Sequence, residues 1–205
     1  MLECGFQSHT SLDDDPKEVC GLVGRPLRQM GIRIVDDDRM DCPPGTAGEI
    51  LTYGPSVSIG YYDNPDANAR SFSPDGWFAT GDIGSLDASG YLKIVDRKKE
   101  LIIRGGANIY PREIEEVLYQ HPKVLEAAAV GIPDQRLGER VCACIVVRPG
   151  ENLSFEELSA FLRDKIATYK LPEFVQLLDT LPRTPTGKVQ KGPLREVVLE
   201  RMRAV

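Results

Sequence analysis

Histidine is almost missing from this chain: His9 and His121 are the only two in 205 residues. A histidine-rich metal centre is therefore excluded. Long apolar runs are missing as well. The longest is about seven residues, typified by Val141 to Val147, far short of the ~20 that a membrane-spanning helix needs. The start, Met1-Leu2-Glu3-Cys4-Gly5, lacks a basic segment followed by an apolar one, so no signal peptide is expected. Cysteine is sparse and odd in number, five without metal-ligand spacing. That pattern favours reduced thiols and a cytoplasmic protein. Cys142 and Cys144 alternate with Val141, Ala143 and Ile145, which reads as small hydrophobes in a strand rather than a redox pair. Positive charge is also in deficit. A net charge of -6 argues against a nucleic-acid binder.

Glycine and proline are abundant instead. Nineteen Gly and 15 Pro make about 17% of the chain, against a usual ~12%. They follow no period, so collagen-like and low-complexity readings fail, and the excess implies many shaped turns. Charge is uneven too. Residues 1 to 95 carry 7 Lys+Arg against 15 Asp+Glu, and residues 96 to 205 carry 18 against 16. A shift from -8 to +2 suggests two units with different surfaces, and 205 residues accommodate one large domain or two small ones.

The first unit reads as β-rich. Gly31-Ile32-Arg33-Ile34-Val35 alternates, and Pro43-Pro44-Gly45 precedes another short strand at Glu49 to Tyr53. Short strands with Gly/Pro turns predict a small barrel-like or sandwich layer. Asn64-Pro65-Asp66 opens a helical stretch through Arg70, and Ser73-Pro74-Asp75-Gly76 is a turn by composition. In the second unit, Tyr91 to Val95 and Glu100 to Arg104 read as strands around the charged link Asp96-Arg97-Lys98-Lys99. Pro111 suits a first helical position, with Ile114, Val117 and Leu118 at helical spacing. Apolar strands follow near 124 to 131 and 140 to 147. Ser154 with Glu157 makes a capping box, Phe174 to Leu178 is a short strand, and Pro193 opens a last helix. The order ββα-ββα-βα predicts an α+β class, with helices on one face of a sheet.

Several residues could carry chemistry. Lys188 lies in Pro182-Arg183-Thr184-Pro185-Thr186-Gly187-Lys188, too rich in Pro, Gly and Thr for helix or core strand. A lysine on such a loop can set a compact charge against a phosphate or carboxylate. The alternative is a solvated surface lysine. It is not a phosphate-loop lysine, because Pro182 and Val189 stand where that motif wants Gly and Ser/Thr. Asp82, after Thr80-Gly81, can accept two hydrogen bonds from a ribose diol or simply cap a turn. Trp77 reads as packing rather than base stacking. Gly105-Gly106 permits positive φ or close ligand approach, or is a plain strand-to-helix loop. Arg97-Lys98-Lys99 reads as a solvated turn.

Taken in order, six motifs resemble one family. They are Gly48-Glu49-Ile50, Gly60-Tyr61-Tyr62, Gly76-Trp77-Phe78-Ala79-Thr80-Gly81-Asp82, Asp96 through Ile103, Gly105 through Glu115, and the Lys188 loop. The succession is similar to the adenylate-forming enzymes: acyl-CoA synthetases, luciferases and peptide-synthetase adenylation domains. The stretch Asp96 to Glu115 looks most like medium-chain or alicyclic acyl-CoA ligases. The resemblance implies an acid–thiol ligase using ATP, magnesium and coenzyme A, on a small-molecule carboxylate.

It also implies roles. Asp82 would hold the ribose hydroxyls and Arg97 would assist at ribose and phosphate. Asp96 would be the hinge between residues 1–95, the last β-rich part of a large AMP-binding domain, and 96–205, a mobile C-terminal α+β domain. Lys188 would bridge carboxylate and α-phosphate, and Gly105 and Gly106 would line the pantetheine route. Glu3 falls at a magnesium position, with Leu2 where a hydroxyl residue is usual. The Lys188 segment also resembles the context in which protein acetyltransferases modify a lysine, which would erase its charge. No Ser/Thr/Gly-rich phosphate loop occurs in the 205 residues. The expectation is a C-terminal portion that is inactive alone and needs an N-terminal domain. Two alternatives stand beside it: a non-catalytic or in-trans module, and an adenylating enzyme that loads a carrier protein.

Overall fold

The computed structural model describes residues 2–203. The chain divides into two units, Met1–Lys99 and Glu100–Val205. The first contains β1 (Ser8–His9), a single helical turn α1 (Pro16–Val19), β2 (Arg25–Pro26), β3 (Gly31–Val35), β4 (Gly48–Tyr53), α2 (Pro65–Ser71), β5 (Phe78–Leu86) and β6 (Leu92–Arg97). A 3-10 turn, Lys98–Glu100, spans the division.

Strands β3 to β6 form an antiparallel sheet in chain order, and β1 pairs with β2 separately. Among the described residues this is an open meander that does not close on itself, as expected of an incomplete barrel-like layer. Alternation puts Ile32 and Ile34 on the opposite side of β3 from Arg33, and Ile34, Ile50 and Leu92 pack together. Strand β4 is central and buried along nearly its whole length, Glu49 and Thr52 included. Asn64 caps α2 by accepting the Ala67 N–H at 3.0 Å, which is why Asn-Pro-Asp starts a helix there. Trp77 packs, with Tyr53 at 5.7 Å and the Arg33 guanidinium 5.3 Å from its ring centroid.

The second unit contains β7 (Ile102–Arg104), β8 (Ala107–Ile109), α3 (Pro111–Leu118), β9 (Val124–Asp134), β10 (Gly138–Val147), α4 (Phe155–Arg163), a 3-10 turn (Thr168–Lys170), β11 (Phe174–Leu177) and α5 (Lys191–Arg203). The fold is α+β, as the element order implied. The first strand pair is nevertheless β7–β8, because Leu92 to Arg97 belongs to the other unit's sheet. Strand β8 stands where Gly105-Gly106 is also compatible with a plain loop into the helix.

Helices cover both faces of this sheet, not one. Ala127, Ala129, Val141, Ala143 and Ile145 face Ile114 and Leu118 of α3 and Leu158 and Leu162 of α4. Their neighbours Ala128, Val130, Ile132, Cys142 and Cys144 face Leu194 and Val198 of α5. The period-2 geometry of a strand sends consecutive residues to opposite sides. A strand apolar at every position therefore needs cover on both. Each fully buried Leu or Val contributes about 1.5–3 kcal/mol. Ser154 accepts the Glu157 N–H at 3.1 Å. The Glu157 carboxylate turns to Lys123, Nζ to Oε2 at 2.9 Å. No helix among the described residues is long and apolar enough to cross a membrane.

Candidate functional site

Strands β5 and β6 pair so that Asp82 lies opposite Arg97 and Ile83 opposite Asp96. Cross-strand partners share a face, and Arg97 Nε lies 3.3 Å from Asp82 Oδ1. Arg97 is half exposed, so the pair fixes geometry more than stability. Thr80 braces the segment by donating to the Ile50 carbonyl at 2.8 Å and accepting the Asp82 N–H at 3.1 Å. Asp82 opens onto a pocket of about 230 Å³ whose walls include Cys4, Thr52, Thr80, Ile50 and Ile94. Burial pushes the Cys4 thiol pKa up, which leaves a neutral thiol beside the carboxylate. A part-exposed carboxylate at the mouth of such a pocket can accept two hydroxyls of a diol.

Asp96 is buried inside β6, 7% exposed, and accepts the Arg97 N–H at 2.8 Å. The segment after it is not simply a solvated turn. Lys98 places Nζ 2.9 Å from Oε2 of Glu49 and 3.6 Å from Asp37. The buried Glu49 carboxylate needs a cation, and no local spacing reveals that partnership across 49 residues.

Gly105 and Gly106 form the two-residue turn between β7 and β8, with φ of +58° and +82°. Arg104 and Ala107 close the ladder. Positive φ at both central positions is the requirement of the hairpin turn that suits strand twist. The Gly105 N–H donates to the Leu137 carbonyl at 2.7 Å, and a Cβ on Gly106 would meet no atom within 4 Å. Backbone conformation alone therefore accounts for the pair.

The Lys188 loop is a second tight turn. Gly187 N–H donates to the Thr184 carbonyl at 2.8 Å, and the Thr184 N–H donates to the Lys188 carbonyl at 2.8 Å. The Lys188 N–H donates to Thr184 Oγ1 at 3.1 Å. Pro185 and Gly187 sit where a turn favours them. Lys188 is exposed, and no hydrogen bond or ion pair occupies its ammonium among the described residues. Arg183, in the same segment, reaches Glu126 Oε2 at 2.7 Å and the Gly187 carbonyl at 2.5 Å. The partners lie 57 residues apart in sequence, so only folding shows them.

Glu3 stands apart. Its carboxylate accepts the Tyr61 hydroxyl at 3.3 Å. No group of three or more His, Cys, Asp or Glu among the described residues could hold a metal ion.

With this geometry in place, the comparisons identify the class. Residues 1–62 match the AMP-binding enzyme model and residues 113–188 match the AMP-binding enzyme C-terminal domain. The chain belongs to the adenylate-forming, AMP-binding enzymes. It is 43% identical over 194 residues to the medium-chain fatty-acid–CoA ligase of Escherichia coli, covering 94% of this chain and 34% of that protein. It is 46% identical over 184 residues to the indoleacetate–CoA ligase of Aromatoleum aromaticum, covering 90% and 36%. The ATP-bound structure of MatB from Rhodopseudomonas palustris superposes with a TM-score of 0.87 at 37% identity, covering 95% of this chain and 39% of that one. The chain thus spans about a third of the length of the curated relatives it matches.

Proposed function

We propose that this chain is the C-terminal portion of an ATP-dependent acyl-CoA ligase. In the first half-reaction a carboxylate attacks the α-phosphate of ATP, releasing pyrophosphate and leaving an acyl-adenylate. In the second, the coenzyme A thiol displaces AMP and forms the thioester. One observation carries the reading: an exposed lysine ammonium without a protein partner, held on a braced turn at the last residue of the C-terminal-domain match. A positive charge there stabilises negative charge as it develops on the transferring phosphoryl group.

The other assignments follow from the same reading. Asp82 takes the ribose hydroxyls, with Arg97 beside it at ribose and phosphate. Asp96 begins the hinge, and the turn of Gly105 and Gly106 lines the pantetheine route. Exchange of one face for another about the hinge then separates adenylation from thiolation. Acetylation of Lys188 would abolish the first half-reaction by removing its charge. An N-terminal portion supplies the phosphate loop and acyl pocket, and covers apolar side chains such as Ile59 and Tyr62, which are almost fully exposed on this chain.

The test is a pyrophosphate-exchange assay. The 205-residue chain alone is expected to be inactive, and the complete enzyme active. Lys188→Ala in the complete enzyme is expected to lower adenylation by ~100-fold or more. Undiminished exchange in that variant would remove the lysine assignment. Preference for a carrier protein over coenzyme A as acceptor would redirect the second half-reaction.

A further inference from the structure

The turn that presents Lys188 is fastened at both ends by ion pairs, to β9 at its start and to α3 at its end. At its start, the Arg183 guanidinium spans two partners. Nη1 donates to the Gly187 carbonyl inside the turn at 2.5 Å, and Nη2 meets Glu126 Oε2 on β9 at 2.7 Å. At its end, Lys191 begins α5 and places Nζ 2.8 Å from Glu115 Oε1 and 3.2 Å from Glu100 Oε2. The same Glu115 oxygen accepts the Ala129 N–H at 2.8 Å. Ala129 lies opposite Ala143 of β10 in the ladder, so an N–H given to Glu115 points out of the other edge of β9. Glu115 of α3 thus ties that edge to the start of α5.

These pairs differ from ordinary surface pairs. The side chains of Lys191 and Glu115 are each 17% exposed, so solvent screens that pair less than an exposed one, while Arg183 and Glu126 are more open at 39% and 29%. Glu115 also closes an open strand edge, and Arg183 also ties the turn's own carbonyl. A loop of Thr, Pro and Gly would otherwise be free to wander. Lysine is a point charge on a flexible stem, so its placement depends on where the backbone is held.

We propose that Arg183 and Lys191 are positioning residues for Lys188, with Glu126 on β9 and Glu115 on α3 as their fixed counterparts. This rests on Lys188 being the adenylation lysine. A misplacement of ~1 Å at a reacting group can cost ~100-fold in rate. The clamp therefore belongs to the first half-reaction, in which the lysine acts.

The test uses the complete enzyme with the half-reactions assayed apart, as pyrophosphate exchange and as thioester formation from supplied acyl-adenylate. Arg183→Ala is expected to lower exchange ~10–100-fold and leave thioester formation unchanged. Arg183→Lys restores a cation opposite Glu126 and is expected to recover most of the loss. Hydrogen exchange at the amides of Thr184, Gly187 and Lys188 is expected to speed up in Arg183→Ala. If that variant does not fold, Glu126→Gln supports the same comparison with a smaller loss. Exchange activity within ~2-fold of wild type in the clamp variants, while Lys188→Ala is inactive, would overturn the clamp alone. An equal fall in both half-reactions without recovery in Arg183→Lys would also overturn it, marking Arg183 as a fold residue only. Full activity in Lys188→Ala would instead overturn the function assigned to the lysine, and the clamp's purpose with it.

Discussion

In Glu100–Val205 one sheet has α3 and α4 against one face and α5 against the other, and its strands β9 and β10 are buried on both sides. In Met1–Lys99 the meander gathers Ile34, Ile50 and Leu92 into a modest cluster, while Leu2, Leu12, Ile59 and Tyr62 stand almost wholly exposed. The contrast shows that charge and chain length do not decide which part is self-sufficient. What decides it is whether each apolar face meets cover from its own unit.

Separating the units would break or sharpen this comparison most. Residues 100–205 expressed alone are expected to unfold in one cooperative urea transition. Residues 1–99 alone are expected to unfold gradually and to bind a hydrophobic dye. A sharp transition from residues 1–99 would show that the meander is closed by its own chain after all. Core truncation gives a smaller, graded version. Leu194→Ala, facing the β9–β10 sheet, is expected to cost about 3 kcal/mol, and Ile34→Ala in the open cluster about 2 kcal/mol, because a looser site relaxes around the loss. Urea midpoints of the two transitions would measure both.

The smallest effect is a pH dependence confined to the second unit. Backbone N–H donation from Leu137 and Arg136, with the Arg140 guanidinium alongside, holds the Asp134 carboxyl below its ordinary value of 3.8. A carboxyl depressed in the folded state binds fewer protons there than in the unfolded chain. Its stabilisation is therefore present above about pH 4 and is lost as pH falls through the lower folded value. Asp134→Asn is expected to flatten the acid limb of the urea midpoint between pH 5 and 2. An unchanged acid limb would show that other carboxylates set it.

Local chemistry made much of this readable in advance. Asn64 before Pro65, Pro111 at a helix start and Ser154 with Glu157 each announce a helix through a bond made within three residues. Alternation in Val141 to Ile145 announces a strand. The failures are all long-range. That sheet needed cover on both faces, which was implicit in a strand apolar at every position but was not drawn from it. Gly105-Gly106 concealed β8, because two glycines fit a hairpin turn and a helix-leading loop equally well. The ion pairs Lys98–Glu49 and Arg183–Glu126 join residues 49 and 57 positions apart. No periodicity encodes them. Motif chemistry singles out Asp82, Arg97 and Lys188 as candidates, while the ion pairs around the Lys188 turn come only from the fold.

The two thiols facing α5 carry one more consequence. Cys142 and Cys144 are fully buried, whereas Cys20 is exposed. Hydrogen bonding to Cys142, followed by burial, pushes the Cys144 thiol far up, so Cys144 is not available as a thiolate in the folded sheet. A maleimide applied under native conditions labels Cys20 first and reaches the sheet pair only when β10 opens. The second unit thus carries a built-in gauge of its own unfolding, and Cys20 is a ready attachment point for a fluorophore on the first.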